Sequence, residues 1–164
     1  MKRLFFLSLL ASTTATYAQG SWVADLRGQA GPAAMVELQA PKGETRLAII
    51  TFEYARKCDP GLSHFVMRGR SLGKIEKQQR LPASSIGSIL NGKRYTGPAV
   101  ASIYSNAVDI AFAMPDDMAM TIAFEKVNSF SYVSPKGEEV RLPIGGLRAA
   151  VDKAIEACVS KIQP

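Results

Sequence analysis

The start of the chain determines how everything after it has to be interpreted. A basic pair, Lys2-Arg3, precedes an apolar block from Leu4 to Leu10, and a segment of mostly small residues ends at Ala18. This order of charge, apolar core and small residues is typical of a bacterial secretory signal peptide, which is removed during export. The sequence therefore predicts a signal peptide over 1–18, cleaved after Ala18, and places the rest of the chain in the periplasm or outside the cell.

The remaining residues, 19–164, have the size of a single exported domain with one hydrophobic core. Without the leader's two basic residues, 18 basic residues stand against 14 acidic ones, a mild excess of about +4. No apolar stretch in this part approaches the roughly 18 residues of a membrane-spanning helix, so no transmembrane segment is expected.

The densest basic stretch is expected to be a solvated surface. The alternative is a weak contact with an anionic envelope surface. The residues of the stretch are Arg68, Arg70, Lys74, Lys77 and Arg80. Nucleic acid is not expected as a partner, because no aromatic residues alternate with these basic ones.

Alternating apolar and polar residues predict most of the chain to be β-strand. The first two predicted strands are separated by a Pro-Gly turn and form a hairpin, whose second arm is apolar on both faces, as in a central strand. The last two form a second hairpin around a similar turn. The predicted strands are 35–39, 45–54, 63–70, 99–104, 108–114, 130–133 and 140–142.

Two segments are predicted to be helical. From Leu147 to Ile162 apolar residues recur every three or four positions, which is typical of an amphipathic helix packed on a sheet. Residues 116–126 fit a helix or a strand, and a helix is favoured because Asp116 after Pro115 could cap it. The expected fold class is α+β, mainly β: an antiparallel sheet or sandwich with a C-terminal amphipathic helix packed on it.

The chain contains two cysteines, Cys58 and Cys158, and an exported chain with one such pair ordinarily joins them. The bond would connect the end of the second predicted strand to the last turns of the C-terminal helix. Closing a loop of about 100 residues stabilises a fold by up to roughly 4 to 5 kcal/mol in the chain-entropy description. A redox-active pair is disfavoured because catalytic dithiols usually lie two residues apart. The sequence therefore predicts a structural disulfide.

No motif predicts catalysis, a metal or a cofactor. His64 is the single histidine, and in a strand its neighbour Ser63 points to the opposite face, which argues against a Ser-His pair. Ser71 and Lys74 have the spacing of a serine–lysine catalytic pair, but such enzymes need a much larger domain. Two pairs of neighbouring carboxylates fit helix-start and turn positions better than a metal loop: 116–117 and 138–139. We expect a protein that is not an enzyme.

The longest stretch without a regular pattern runs from 71 to 98. Long loops in compact domains are often binding elements, so residues 84–98 are the predicted partner-binding loop, with Lys93, Arg94 and Tyr95 as candidate contacts. The segment Asn91-Gly92-Lys93-Arg94-Tyr95-Thr96-Gly97 resembles the loop by which membrane-associated lysozyme inhibitors enter the lysozyme cleft. That resemblance implies an inhibitor of a cell-wall hydrolase, although two basic proteins would repel each other during encounter.

A second resemblance covers the whole exported part. Trp22 near its start, strands leading to Cys58, a late hairpin and a closing helix from Gly146 to Cys158 are similar to small exported β-rich accessory proteins of proteobacteria, including the type VI secretion-associated accessory family. The resemblance implies a binding or assembly role. We therefore predict a non-enzymatic periplasmic or secreted protein that binds another macromolecule in a secretion, envelope or toxin-neutralising role. The alternative is a hydrolase inhibitor that uses the 84–98 loop.

Overall fold

The computed structural model describes most of the chain after the predicted leader, and every structural statement below concerns the described residues. These are 20–40, 44–69, 77–81, 87–104, 107–133, 137 and 139–163. The predicted signal peptide lies outside them, as do Arg70, the Ser71–Lys74 motif and residues 84–86 of the predicted binding loop.

The described elements are mainly strands, with one short and one long α-helix and a single 3₁₀ turn at Tyr54–Arg56. The strands are β1 Val23–Asp25, β2 Ala33–Ala40, β3 Glu44–Phe52, β4 Pro60–Gly69, β5 Gln79–Leu81, β6 Gly87–Leu90, β7 Lys93–Thr96, β8 Ala99–Tyr104, β9 Ala107–Ala113, β10 Phe130–Val133 and β11 Glu139–Arg141. The helices are α1 Asp116–Phe124 and α2 Leu147–Ile162.

The strands form two antiparallel sheets. The larger sheet has seven strands in the order β1-β2-β3-β4-β9-β8-β5, and the smaller has four in the order β11-β10-β6-β7. Both predicted hairpins are present, one made by β2 with β3 and the other by β10 with β11. The predicted α+β, mainly-β class is confirmed.

One face of the larger sheet, called the inner face, carries the core. Ala48, Phe65 and Phe112 lie side by side on β3, β4 and β9 and are at most 3% exposed. The ring of Phe65 lies 5.4 Å from that of Phe130 and 5.7 Å from that of Tyr132, both on β10 of the smaller sheet. Aromatic rings at these separations attract each other beyond the area that they bury. The aromatic cluster therefore joins the two sheets.

Helix α2 packs against β1, β2 and β3 through the apolar stripe that the sequence predicts. Leu147, Val151 and Cys158 on this stripe are at most 3% exposed, whereas Ile162 at the end of the helix is 39% exposed. Gly146 precedes the helix with φ of 79°, a conformation that glycine adopts without steric cost. The predicted amphipathic helix and its packing on the sheet are confirmed.

The disulfide between Cys58 and Cys158 is present. The two Cα atoms lie 5.8 Å apart, within the usual range for a disulfide, and both side chains are buried. Cys58 belongs to the turn before β4 and Cys158 to the last turns of α2. The bond therefore anchors the far end of α2 to the larger sheet, as the sequence predicts.

Helix α1 confirms the helical interpretation of residues 116–126 but corrects its cap. Extended Pro115 occupies the N-cap position, and no side chain caps the helix. Asp116 instead receives a 3.0 Å hydrogen bond from Arg56 Nη2, and this bond raises the pKa of the Arg56 guanidinium. Asp116 and Asp117 both lie in the first turn, where the helix dipole favours negative charge. The cap prediction was wrong because the helix starts one residue earlier than a capping Asp116 requires, so Asp116 is its first helical residue.

The described part of the predicted 84–98 loop is mostly regular. Strands β6 and β7 form a hairpin, and its turn is Asn91-Gly92, with φ of 50° and 82°. Asn-Gly is favoured in two-residue hairpin turns because both positions need positive φ. The prediction of one long loop was wrong here, since strands of four residues are too short to show a clear alternation.

Candidate functional site

The three residues predicted to contact a partner lie on β7, at one edge of the smaller sheet. Lys93 and Arg94 are exposed, but Tyr95 is only 7% exposed and belongs to the core. Successive residues of a strand point to opposite faces, so Tyr95 faces inward while Arg94 and Thr96 face outward. Tyr95, a candidate partner contact, is therefore buried in the free chain.

The ammonium group of Lys93 is directed at its own molecule. Its Nζ lies 4.4 Å from the centre of the Tyr95 ring and 3.2 Å from Oδ2 of Asp117 in α1. Interactions with Tyr95, and after it with Asp117, raise the pKa of Lys93 above its ordinary value. Lys93 therefore ties the β6–β7 hairpin to the first turn of α1.

The turn of the same hairpin holds the segment that follows α1. Asn91 Oδ1 accepts hydrogen bonds from the backbone N–H groups of Asn128 at 2.8 Å and Ser129 at 3.3 Å. Asn91 Nδ2 donates to the Lys126 carbonyl at 2.8 Å. Together with Lys93, Asn91 makes the hairpin a support for α1 at both of its ends.

The described part of the basic stretch is less positive than its sequence suggests. Arg68 makes two hydrogen bonds of 2.7 Å to the carboxylate of Asp109, the residue opposite it on β9. A bidentate pair of this kind neutralises the guanidinium. Lys77 and Arg80 are exposed. An anionic-surface contact therefore stays a prediction that the described residues do not strengthen.

Of the residues considered for catalysis, Ser63 and His64 lie in the described part of the chain, and they do not form a reactive pair. Ser63 is 5% exposed, and its hydroxyl donates to the carbonyl of Gly61 at 2.7 Å. His64 lies partly buried on the opposite face of β4. Glu139 accepts a hydrogen bond from Ser131 at 2.7 Å. Within the described ranges, no group of three His, Cys, Asp or Glu side chains is placed to hold a metal ion.

A groove lies between the end of α1 and the start of α2, and it is called the α1–α2 groove below. Its volume is about 350 Å³, within the range of ligand sites in proteins. Ile122 and Leu147 form its floor and are at most 3% exposed. Phe124 and Ile144 stand on its rim, 58% and 43% exposed. The groove therefore offers apolar surface to water from both walls.

Hydrogen bonds hold both walls of the groove. Arg148 Nη1 donates to the carbonyl of Ala123 at 2.7 Å, which ties the first turn of α2 to the last turn of α1. Trp22 Nε1 donates to the carbonyl of Pro143 at 2.6 Å, which fixes the segment before α2. Asn91 fixes the segment after α1. Because these bonds are made within the chain, the groove is formed before any ligand arrives.

Charged residues stand beside the apolar rim. Glu125, Lys126 and Arg148 line the groove together with its apolar residues. Arg148 also pairs with Asp152 one turn further along α2. Lys126 is exposed and forms no ion pair with another described residue. The rim therefore carries two cations and one carboxylate.

The apolar surface continues from the groove along α1. Met120 is 38% exposed and precedes Phe124 by four residues, so the two side chains are neighbours on one face of the helix. Met118 and Ile122, on the other side of α1, are at most 1% exposed. Helix α1 is thus apolar on two faces, although only one of them is buried.

The sequence does not reveal this groove because two separate segments build it: 122–127 at the end of α1, and 144–148 at the start of α2. One signal was present. The α1 sequence DDMAMTIAF contains more apolar residues than a single buried stripe needs, which is unusual for a surface helix with one solvated face.

Comparison of the chain with protein-family models, with curated proteins and with solved structures found no match. The predicted similarity to exported accessory proteins therefore stays a prediction. Among the described residues, no helix has the length and apolar character needed to cross a membrane.

Proposed function

We propose that the protein is an exported binding protein without catalytic activity, and that the α1–α2 groove is its docking site for a protein partner. The observation that carries this proposal is the pair of exposed side chains, Phe124 and Ile144, on the rim of a groove already formed in the free chain. When a partner removes apolar side chains in such positions from water, the free energy of the complex is lowered.

Export is supported by two independent features. The basic pair and apolar block at the start of the chain have the order of a signal peptide. The Cys58–Cys158 bond joins distant parts of the fold, and structural disulfides persist mainly in oxidising compartments. A periplasmic or secreted protein that acts in secretion, in the envelope or in toxin neutralisation fits both features.

The groove favours a partner of a particular chemistry. An apolar side chain would enter between Phe124 and Ile144 and reach the floor at Leu147. A carboxylate beside it would meet Lys126, the cation of the rim that forms no ion pair with another described residue, whereas Arg148 is already paired with Asp152. The partner is therefore an exported protein that presents an apolar residue next to an acidic one. The charge complementarity would also speed the encounter.

The hydrolase-inhibitor alternative gains no support from the β6–β7 hairpin. It included Tyr95 among its candidate contacts, and Tyr95 is buried beneath Lys93. An inhibitor would have to use another surface of this chain.

Partner capture from envelope extract tests the proposal with single substitutions in the tagged protein. We expect Phe124→Ser and Ile144→Ser each to reduce the captured partner at least tenfold, since central apolar anchors contribute about 2 kcal/mol or more to binding. The matched control is Ile162→Ser, because Ile162 is 39% exposed at the other end of α2. It should bind as the wild type does.

Thermal unfolding of the same variants separates binding from folding. Exposed side chains contribute little to stability, so all three variants should melt within a few degrees of the wild type. Undiminished capture by both groove variants would remove the groove as the docking site. Equal losses in all three would point to general stickiness of exposed apolar residues.

A further inference from the structure

The outer face of the larger sheet lies opposite the inner face, and its central residues, such as Leu47, Val66 and Ala111, stay partly exposed. The aromatic cluster of the smaller sheet meets the inner face at Phe65. Helix α2 lies along β1 to β3, where the inward residues Ala34, Val36 and Leu38 are fully buried. Alternate residues of the same strands, such as Glu37, point the other way and are exposed.

One row of residues crosses six strands on this outer face. The strand register places an acid at one end, a base at the other and four apolar residues between them. In order from β2 to β5, the row is Glu37, Leu47, Val66, Ala111, Val100 and Arg80. The end residues are exposed and the four middle ones are half-buried.

The middle of this row is unusual for a face in contact with water. An antiparallel sheet with one solvated face normally alternates apolar inward and polar outward residues. Here Leu47, Val66 and Val100 are outward and apolar, although their strands already bury an apolar inner face. The middle of this row therefore has the composition of a sheet that packs on another surface, whereas the next row is polar and includes Arg68 and Asp109.

The charges of the outer face are self-complementary. Consider a twofold axis parallel to the strands and lying over the boundary between β4 and β9. Rotation about this axis places each end of a row in one copy opposite the other end of the row in the second copy. In a second copy stacked face to face, Glu37 would then meet Arg80. The next row behaves in the same way, since Arg68 on β4 and Asp109 on β9 lie on either side of the same axis.

We propose that two copies of the chain pair through their outer faces, about this twofold axis. Apolar residues from opposite halves of the row then face each other, Leu47 against Val100 and Val66 against Ala111. Packed sheets cross at roughly 30°, and the long side chains of Glu37 and Arg80 can span the offset that this angle introduces at the ends of the row.

The size of the outer face predicts a weak dimer. Six strands about 4.8 Å apart and three rows about 7 Å apart cover roughly 600 Å² per copy. A standard interface buries about 800 Å² per partner. The dimer should therefore dissociate in the micromolar range and form where the exported protein accumulates.

Sedimentation of the purified protein over a range of concentrations tests the pairing through a charge swap. Glu37→Arg and Arg80→Glu each place like charges opposite one another twice per dimer, so each should weaken the dimer at least tenfold. The double variant Glu37→Arg with Arg80→Glu restores opposite charges and should dimerise within about threefold of the wild type. Glu156→Arg, the same change on the exposed face of α2, should have no effect.

Cysteine cross-linking tests the geometry independently of charge. Leu47 and Val100 lie three strand spacings apart in one chain, about 14 Å, which is too far for a disulfide within the chain. A mixture of Leu47→Cys and Val100→Cys proteins should form covalent dimers that neither variant forms alone. A protein that stays monomeric, a dimer indifferent to the charge swap, or equal cross-linking of the mixed and the separate variants would overturn the proposal.

Discussion

The β6–β7 hairpin and the α1–α2 groove are both surface regions with charged and aromatic residues, and they differ in where those residues make their bonds. In the hairpin, Asn91, Lys93 and Tyr95 are bonded to α1, to the segment after it or within the core. In the groove, Phe124 and Ile144 point into water. Residue types alone suggested the hairpin as the contact surface. The direction of the side chains favours the groove.

This difference separates two roles. The hairpin positions α1, and α1 presents one wall of the groove. Substitutions in the hairpin should therefore lower stability, whereas substitutions on the groove rim should lower binding and leave stability nearly unchanged. Loss of the disulfide, like substitutions in the hairpin, should lower stability rather than binding, because the bond anchors the end of α2 that lies away from the groove.

Removal of the disulfide should have the largest effect on stability. The double variant Cys58→Ala with Cys158→Ala loses the closure of a 100-residue separation, and we expect it to lower the free energy of unfolding by about 4 kcal/mol. Urea unfolding of both proteins measures this loss. Partner capture should persist at low temperature, because Arg148 still holds the start of α2. A loss below about 1 kcal/mol would show that α2 does not depend on the bond.

Substitution of Tyr95 should give the next largest effect on stability. It is also the strictest test of the difference between the hairpin and the groove. If Tyr95 is a core residue, Tyr95→Ala should destabilise the protein by about 3 kcal/mol, as other buried aromatic truncations do. Tyr95→Phe keeps the ring and serves as the matched control, with a much smaller loss. An exposed contact residue would behave differently: Tyr95→Ala would then change stability by less than about 0.5 kcal/mol and abolish binding.

Much of the fold follows from local pattern. The alternation in β4 and β9 marks their buried face correctly, because a strand's period of two does not depend on its neighbours. The stripe of α2 and the bond at Cys158 are similarly visible in the sequence, since a periodic apolar face must be buried and a lone cysteine pair in an exported chain tends to join.

The candidate site could not be predicted in the same way. Whether Tyr95 faces the core or water depends on which side of β7 the helix α1 packs, and that is decided by residues more than twenty positions away. The groove needs the relative placement of Phe124 and Ile144, which belong to separate segments. The local sequence pattern contains neither the orientation of Tyr95 nor the placement of Phe124 and Ile144, because tertiary packing sets both.

Asn91 should give the smallest of these stability effects. Asn91→Ala removes its side-chain hydrogen bonds to the segment after α1 and places alanine at φ of 50°, for an expected loss of about 1 to 2 kcal/mol. Asn91→Gly loses the same bonds but tolerates the backbone conformation, so it should be less destabilising by up to about 1 kcal/mol. Thermal unfolding compares the two. Equal losses would mean that the backbone conformation adds nothing.

The central claim is that the groove, and not the hairpin, meets the partner. Site-specific photo-cross-linking in the intact envelope tests it directly, with a photoreactive residue in place of Phe124 in one protein and in place of the exposed Arg94 in another. Our account predicts a covalent adduct with a second protein from position 124 and none from position 94. An adduct from position 94 together with none from position 124 would contradict it.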